Sequence, residues 1–402
     1  MEKLKKQQVY KDPLYGYIHV DDLVIKDLIN SAPFQRLRRI RHLSGVQMVF
    51  HGAEHSRFSH SLGVYEIANR FMAVPDLAEG FDTRQRLLFL VSALLHDIGH
   101  GAYSHAFEDV FGMKHEVMGA ALITGNKDIR TLLDRIDQGF AEDVASILLK
   151  EGRFALIEQL ISSQLDVDRL DYLERDAYFT GAAYGRIDLD RLIRVLHVRD
   201  GQVVFKHTGI HAIENYLIAR YHMYWQVYYH PVAHAYEVNL EKICLRAKDL
   251  INQAFDFGKI DIDPLKRMME EPRDIDNFIQ LDDYYVNGLL VGFAKANDRI
   301  LRLLAGDFLN RRIWGHMSDT KDNKAAIEAI KKGYDKEEQA YFTACRTVEN
   351  STYQNEETYF GDKIYIMLDN GSLSSLRDQS KIMESLTHAG TKSDTRFFYR
   401  KP

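Results

Sequence analysis

The sequence predicts a mainly α-helical protein with a small β-hairpin insertion and a small α+β carboxyl-terminal part. Proline, which interrupts helices, is scarce, with seven in 402 residues. Long stretches of the chain are rich in leucine, isoleucine and alanine. Segments with strand character are short and occur in few places. A chain of this length can bury a large core, so we expect one large domain over residues 1–258 and a mostly helical region over residues 259–402.

The first half of the chain predicts a turn followed by helices. Pro13 and Gly16 divide the opening segment into a turn between short extended pieces. Beyond it, apolar residues recur three and four positions apart, which is typical of amphipathic helices. The expected helices cover residues 21–30, 34–43, 59–71 and 83–97. Gly99 follows the last and strongest of them as a carboxyl-terminal stop.

The second half adds short strands to this pattern. Helices are expected within residues 141–163, through residue 168, and over residues 212–256. Asp200-Gly201 separates two β-prone segments and predicts a hairpin. The character of the sequence changes after Gly258, and a second turn between β-prone segments, at Asn370-Gly371, indicates a small α+β end.

The composition narrows the class of protein. Cys244 and Cys345 are the only cysteines and lie far apart, which excludes a disulfide scaffold and a thiolate zinc site and favours a reducing compartment. No apolar run reaches membrane-spanning length, so we expect a cytoplasmic protein without a membrane partner. The net charge of −6 argues against a general nucleic-acid binder, which needs a basic excess.

Four residues from three segments form a candidate metal site. His60 lies in a helical segment, the pair His96-Asp97 ends an apolar helix, and Asp168 follows much later. Two imidazoles and two carboxylates without sulfur favour a divalent ion such as Mn, Mg, Fe, Ni or Zn. Such an ion can activate water and polarise a phosphoryl oxygen, so the set predicts phosphate-ester chemistry.

Charged and aromatic residues recur near these ligands. Arg57 precedes His60 by one helical turn and could contact a phosphate. The arginines from Arg36 to Arg41 could receive a small polyanion or form a solvated helix face. Histidines and a glutamate that could donate protons or support the metal ligands are His100, His105, His115 and Glu116. A later set fits either nucleotide binding or core packing and comprises Arg169, Tyr172, Asp176, Arg220, Tyr228 and Tyr229.

These motifs together resemble the HD-domain deoxynucleoside triphosphate (dNTP) triphosphohydrolases. The motifs that match the family are Arg57-Phe-Ser-His60-Ser-Leu-Gly-Val64, His96-Asp-Ile-Gly-His-Gly101, Ser104-His105, His115-Glu116 and Asp166-Val-Asp-Arg169. The resemblance extends from Val9 to about Ile210 and continues more weakly beyond it. It implies an HD-domain helical core within residues 1–258 and hydrolysis of a dNTP to deoxynucleoside and intact triphosphate.

The resemblance also implies roles for individual residues. His60, His96, Asp97 and Asp168 would hold the metal, and His105 would protonate the departing 5′ oxygen with His100, His115 and Glu116 orienting the reacting groups. Arg57, Arg169 and Arg220 would neutralise the triphosphate, whose path Tyr172 would line. Asp176 would contact the 3′ hydroxyl, and Tyr228 and Leu43 would pack against the sugar.

The chain departs from the family at several positions. His42 and Tyr229 stand where a relative carries glutamines near the sugar. Gln35 and Arg38 match an activator site for a nucleotide, but Gln8 and Asn30 replace a lysine and an aspartate there. The family forms homotetramers, so we expect an oligomer. Two alternatives stay open, namely an HD phosphohydrolase acting on nucleoside monophosphates or cyclic nucleotides, and a catalytically quiet nucleotide sensor.

Overall fold

The computed structural model describes residues 2–104, 108, 110–350, 363–388 and 392–402. Helices dominate it and the sheets are small, which confirms the predicted mainly α-helical class. In the first half of the chain the helices are α1 (Leu23–Asn30), α2 (Ala32–Arg36), α3 (Arg57–Phe71), α4 (Pro75–Gly80), α5 (Thr83–Leu95), α6 (His115–Gly125), α7 (Lys127–Asp134), α8 (Phe140–Leu148), α9 (Ala155–Ile161), α10 (Val167–Thr180) and α11 (Leu189–Val195).

Helices also make up most of the second half. They are α12 (Ile210–Met223), α13 (Pro231–Asn252), α14 (Asp263–Glu270), α15 (Ile275–Phe278), α16 (Asp283–Phe293), α17 (Arg299–Leu309), α18 (Lys324–Lys332), α19 (Lys336–Phe342), α20 (Leu376–Gln379) and α21 (Lys381–His388). Within the described part of the chain, none of the helices combines the length and the apolar character that a bilayer crossing requires.

The strands of the described residues form three small sheets. They are β1 (Lys3–Asp12), β2 (Gly16–Asp22), β3 (Leu196–Arg199), β4 (Gln202–Lys206), β5 (Gly315–Ser318), β6 (Thr343–Asn350), β7 (Tyr365–Met367), β8 (Leu373–Ser375) and β9 (Lys392–Tyr399). The first sheet is the antiparallel pair β1 and β2, the second has the order β3-β4-β7-β8, and the third has the order β5-β9-β6.

The two turns predicted at Asp200-Gly201 and Asn370-Gly371 are present, and one sheet joins them. Asp200 and Gly201 have φ angles of 52° and 74°, as a tight hairpin turn between β3 and β4 requires. Strands β7 and β8 are antiparallel around Gly371. Strand β4 then pairs with β7 in parallel, so the predicted hairpin insertion and the carboxyl-terminal part share a four-stranded sheet.

Three helices are shorter than the apolar spacing predicts, and the one expected over residues 83–97 ends at Leu95. The helix expected over residues 34–43 ends at Arg36 and continues as one 3-10 turn, after which Ile40 is extended with φ of −123°. The reason is tertiary pairing, because Arg57 donates its backbone N–H to Ile40 O and Arg41 bridges Ser56. The helix expected over residues 21–30 starts two residues late because strand β2 continues through residue 22.

The long helical stretch expected over residues 212–256 is interrupted. Helix α12 passes into a π-helical segment, Tyr224–Tyr228, before α13 begins at Pro231. The His230 side chain accepts a hydrogen bond from the backbone of Val232 and caps α13, which has proline in its first turn. The wider π turn changes which of the successive aromatic residues face the core.

One apolar core runs through the described residues. Its members extend from Ile18 in β2 to Phe398 in β9 and include the buried faces of α3, α5, α10 and α13. Helix α10 crosses this core beside α3, begins at the capping side chain of Asp166, and ends at Gly181 with φ of 76°. The division into residues 1–258 and 259–402 stays a prediction.

Candidate metal centre and active site

The four predicted metal ligands meet at the junction of α3, the end of α5 and α10. His60 Nε2 lies 3.2 Å from His96 Nε2 and 3.0 Å from Asp168 Oδ1. Asp97 completes the cluster, with its carboxylate oxygens 3.7 Å from His60 Nε2 and 3.4 Å from His96 Nε2. Helix α5 ends before His96, so the His96-Asp97 pair lies in a turn where both side chains face the same point.

In each imidazole, Nδ1 faces away from the cluster and contacts a hydrogen-bond acceptor. His60 Nδ1 lies 2.7 Å from Asp171 Oδ2, and His96 Nδ1 lies 2.9 Å from the carbonyl oxygen of Ala93. In the neutral imidazoles that a bound ion would require, acceptors on the Nδ1 side place the proton there and leave the Nε2 lone pairs directed into the cluster. This is the tautomer that a metal-binding histidine needs.

The carboxylates around the cluster favour an added positive charge at its centre. Burial opposes protonation of His60, yet Asp168 and Asp171 raise its pKa to about 10. Burial likewise opposes ionisation of Asp168, but hydrogen bonds from His60 and His96 hold its pKa well below the ordinary value. Nitrogen and oxygen donors with this demand for positive charge fit a divalent metal ion.

Arg57 lies buried against the metal ligands. Its Nη1 donates to Asp97 Oδ2, and its Nε and Nη2 lie 3.0 and 2.8 Å from Ser104 Oγ. Burial raises the pKa of Asp97, but Arg57 and His96 outweigh it and hold the pKa well below its ordinary value. In this structure, therefore, Arg57 neutralises the carboxylate of Asp97, and its predicted contact with a phosphate stays a prediction.

Three further residues form a second polar cluster behind Asp97. His100 Nε2 lies 3.2 Å from Asp97 Oδ1, and its Nδ1 lies 3.0 Å from Glu108 Oε1. His115 stacks on His100 with ring centroids 3.9 Å apart and also reaches Glu108. Burial first and Arg57 second lower the pKa of His100 to about 4, so this imidazole is neutral near pH 7. His105 lies outside the described residues.

On the other side of the cluster, three aromatic side chains lie close to the carboxylate of Asp176. His55 Nε2 lies 2.8 Å from its Oδ1, and the Tyr228 hydroxyl donates to its Oδ2 at 2.7 Å. His42 Nε2 lies 3.8 Å from Asp176 Oδ1, and its ring centroid is 4.3 Å from that of His60. Asp176, Tyr228 and His42, which are expected at the sugar, are therefore adjacent to the cluster.

The remaining predicted substrate residues divide into two groups. Tyr172 packs edge-on against Tyr228, Arg169 pairs with Asp166 beside Asp168, and Arg220 donates to Gln164. Leu43 is buried directly after His42. Glu116, which is predicted to orient the reacting groups and not to bind substrate, lies 3.6 Å from His115 Nε2. Tyr229 differs from these, because its ring lies against Tyr224 and His234.

The basic run before α3 is divided between the interior and the surface, since Arg36 is buried and Arg38 is exposed. Arg36 is buried and donates to the carbonyl oxygens of His100 and Leu281, so it ties the metal-site turn to the second half of the chain. Arg39 pairs with Asp282. Gln35 and Arg38, the expected activator contacts, hydrogen bond to each other, and Arg38 also lies over Phe58.

Sequence reasoning missed the residues that support the ligands. Asp171 carried a usable signal, because it lies one helical turn after Asp168 and so shares its face of α10. Glu108, His55 and Tyr15 carried none, because they reach the site only through tertiary packing.

Similarity to known proteins agrees with this geometry. The sequence profile described as the HD domain matches residues 57–176, and the HD associated region matches residues 187–396. YwfO of Bacillus subtilis is 38% identical over 408 residues, which cover 99% of this chain and 93% of that protein. The crystal structure of a phosphohydrolase from Bacteroides thetaiotaomicron has a TM-score of 0.86 at 29% identity and covers 99% of this chain and 100% of that chain.

A relative with a named activity matches over a shorter range. The deoxynucleoside triphosphate triphosphohydrolase SAMHD1 homolog of Dictyostelium discoideum is 29% identical over 297 residues, covering 69% of this chain and 54% of that protein. The profile matches, the length of the similarity and the cluster of His and Asp ligands agree with one another. The chain therefore belongs to the HD-domain family of metal-dependent phosphohydrolases that includes the dNTP triphosphohydrolases.

Proposed function

We propose that this chain hydrolyses dNTPs to deoxynucleoside and inorganic triphosphate. The observation that carries the proposal is the position of the Asp176 and Tyr228 pair directly beside the metal cluster, joined to it through His42. A hydroxyl-reading carboxylate next to a phosphate-activating centre suits a nucleotide with its sugar on one side and its phosphates on the other.

His60, His96, Asp97 and Asp168 would hold the divalent ion, whose identity among Mn, Mg, Fe, Ni and Zn stays open. When bound, such an ion lowers the pKa of water and polarises a phosphoryl oxygen. Neutral His100 and the Glu108 carboxylate fix the orientation of Asp97 and His115 on one side of the centre. His105 is proposed as the donor of a proton to the 5′ oxygen, on the family resemblance.

The other predicted site residues would contact the substrate. Arg57, Arg169 and Arg220 would neutralise the triphosphate. Tyr172, which lies close enough to Arg169 and Arg220 for both to lower its pKa, would line the path of the triphosphate. Asp176 would accept from the 3′ hydroxyl, and Tyr228 and Leu43 would pack against the sugar. His42 replaces a family glutamine there and can accept or donate one hydrogen bond. Activation by a nucleotide at Gln35 and Arg38 and assembly into a homotetramer are further proposals.

Product analysis tests the proposal. Purified full chain is incubated with Mn²⁺ or Mg²⁺ and each dNTP, alone and in mixtures, and the products are separated by anion exchange. Inorganic triphosphate and deoxynucleoside in equal amounts support it. Release of pyrophosphate or monophosphate, turnover of only nucleoside monophosphates or cyclic nucleotides, or metal-dependent dNTP binding without turnover rejects it in favour of the two alternatives.

A further inference from the structure

The turn between β1 and β2 reaches the metal centre although it lies outside the segment that matches the HD domain profile. Tyr15 lies in the turn and donates its hydroxyl to Asp171 Oδ1 at 2.7 Å. Asp12 precedes the turn and accepts from Arg175 Nη1 at 2.9 Å. Both contacts join segments more than 150 positions apart in the sequence.

Asp171 is where this turn meets His60. Its carboxylate is inaccessible to solvent and accepts from four donors: His60 Nδ1, Tyr15 Oη, Arg175 Nε and Arg175 Nη2. A carboxylate with every acceptor position filled cannot rotate without breaking a buried hydrogen bond, which costs free energy. Its orientation therefore sets the direction of the His60 ring.

The backbone is shaped for this contact. Gly63 lies one helical turn after His60 in α3, and a Cβ atom there would lie 1.9 Å from Asp171 Oδ1 and 2.3 Å from Arg175 Nη2. Only glycine lets α3 approach the Asp171 and Arg175 pair so closely. On the opposite side, Asp12 Oδ1 accepts from the backbone N–H groups of Leu14 and Tyr15 and holds the turn in shape.

We propose that the β1–β2 turn positions a metal ligand: Tyr15 and Asp12 fix Asp171 and Arg175, and Asp171 fixes His60 with its Nε2 directed to the ion. Tyr15 and Asp12 are thus positioning residues that act through Asp171 and contact neither metal nor substrate. The inference rests on the metal centre of the proposed function and is independent of which phosphate ester is hydrolysed.

Metal affinity of the chelator-treated full chain tests this inference. Tyr15→Phe keeps the ring and removes only the donor to Asp171, and Asp12→Asn keeps the turn contacts and removes the charge facing Arg175. Tyr17→Phe is the matched control, because Tyr17 lies in the same hairpin with 56% of its surface exposed. Free Mn²⁺ measured by electron paramagnetic resonance gives the dissociation constant without any substrate.

We expect Mn²⁺ to bind Tyr15→Phe and Asp12→Asn about 10-fold more weakly than wild type, the lower end of the range for supporting residues of metal ligands. Tyr17→Phe should bind as wild type does. In the double variant Tyr15→Phe with Asp171→Asn, the two losses should not add, because both residues act through one contact. Additive losses, or wild-type affinity of Tyr15→Phe with only a lowered melting temperature, would overturn the inference.

The product assay separates this inference from the proposed function. If the wild-type chain binds Mn²⁺ but releases no triphosphate, the proposed reaction is wrong. The comparison of Mn²⁺ affinities then still tests the positioning role of Tyr15 and Asp12. If the wild-type chain releases triphosphate and Tyr15→Phe retains wild-type Mn²⁺ affinity, the positioning role is wrong and the proposed reaction stands.

Discussion

Arg57 and Asp97 form a buried ion pair at the edge of the metal cluster, with the guanidinium also bonded to Ser104. Removal of one partner of a buried pair leaves an uncompensated charge and costs about 3–5 kcal/mol. Asp97 differs from an ordinary partner because it also faces the proposed ion, which can neutralise it. The pair therefore couples the stability of the protein to metal binding.

Arg57→Gln should lower the free energy of unfolding of the metal-free protein by about 3 kcal/mol, and Mn²⁺ should restore part of the loss. Arg130→Gln in α7 is the control, because its partners Asp134 and Glu142 are both exposed and such pairs contribute little to stability. Urea denaturation with and without Mn²⁺ measures both. Equal losses in the two variants would contradict a special role for Arg57.

Metal removal gives a second prediction. At a Mn²⁺ concentration of about 100 times the dissociation constant, bound ion should add about 2.7 kcal/mol to the free energy of unfolding. His96→Ala should lose this increment and all turnover, whereas His19→Ala, which changes a histidine that contacts Gln7 near the surface, should keep both. Differential scanning calorimetry and the product assay check it, and equal metal stabilisation of wild type and His96→Ala would refute the assignment.

The sequence predicted the four residues that meet in the cluster because each stands in a dense local motif. It predicted the turns at Asp200-Gly201 and Asn370-Gly371 because Asp-Gly and Asn-Gly carry their own backbone preference. It could not predict that the helix after Phe34 ends at Arg36, because backbone pairing with the segment around Arg57 decides that boundary. Nor could helical spacing say which tyrosine, Tyr228 or Tyr229, faces Asp176, since a π turn alters the spacing there.

Gly63→Ala should damage the metal centre without touching a ligand. The added methyl group would overlap the Asp171 and Arg175 side chains, which are themselves buried and bonded, so several contacts must shift at once. We expect a loss of about 1–3 kcal/mol in unfolding free energy together with weaker Mn²⁺ binding. Gly306→Ala in α17 is the control, since nothing lies within 4 Å of its added Cβ. It should be neutral or stabilise by up to about 1 kcal/mol.

Neighbouring tyrosines should differ in their effect on sugar selectivity. Tyr228 contacts Asp176, whereas Tyr229 packs against Tyr224 and His234. Tyr228→Ala should therefore lower the ratio of kcat/KM for a dNTP to that for the matching ribonucleotide by about 10-fold, roughly 1.4 kcal/mol of discrimination. Tyr229→Ala should leave that ratio unchanged. A larger drop in selectivity for Tyr229→Ala would reverse the assignment and return Tyr229 to the sugar, as its alignment with a family glutamine suggested.

His234 should make the protein less stable in mild acid. Burial first, then Arg346 and Arg396, lower its pKa to about 4. Between that value and the ordinary pKa of about 6.5, the unfolded chain binds a proton that the folded chain does not. Stability is therefore complete above pH 6.5 and falls as the pH drops towards 4, by at most about 3 kcal/mol from this residue. Urea denaturation from pH 7 to pH 4 should show a shallower fall for His234→Gln than for wild type. His211→Gln, which replaces a histidine with 95% of its side chain exposed, should keep the wild-type slope. An unchanged slope in His234→Gln would mean that its imidazole becomes protonated without cost in the folded protein.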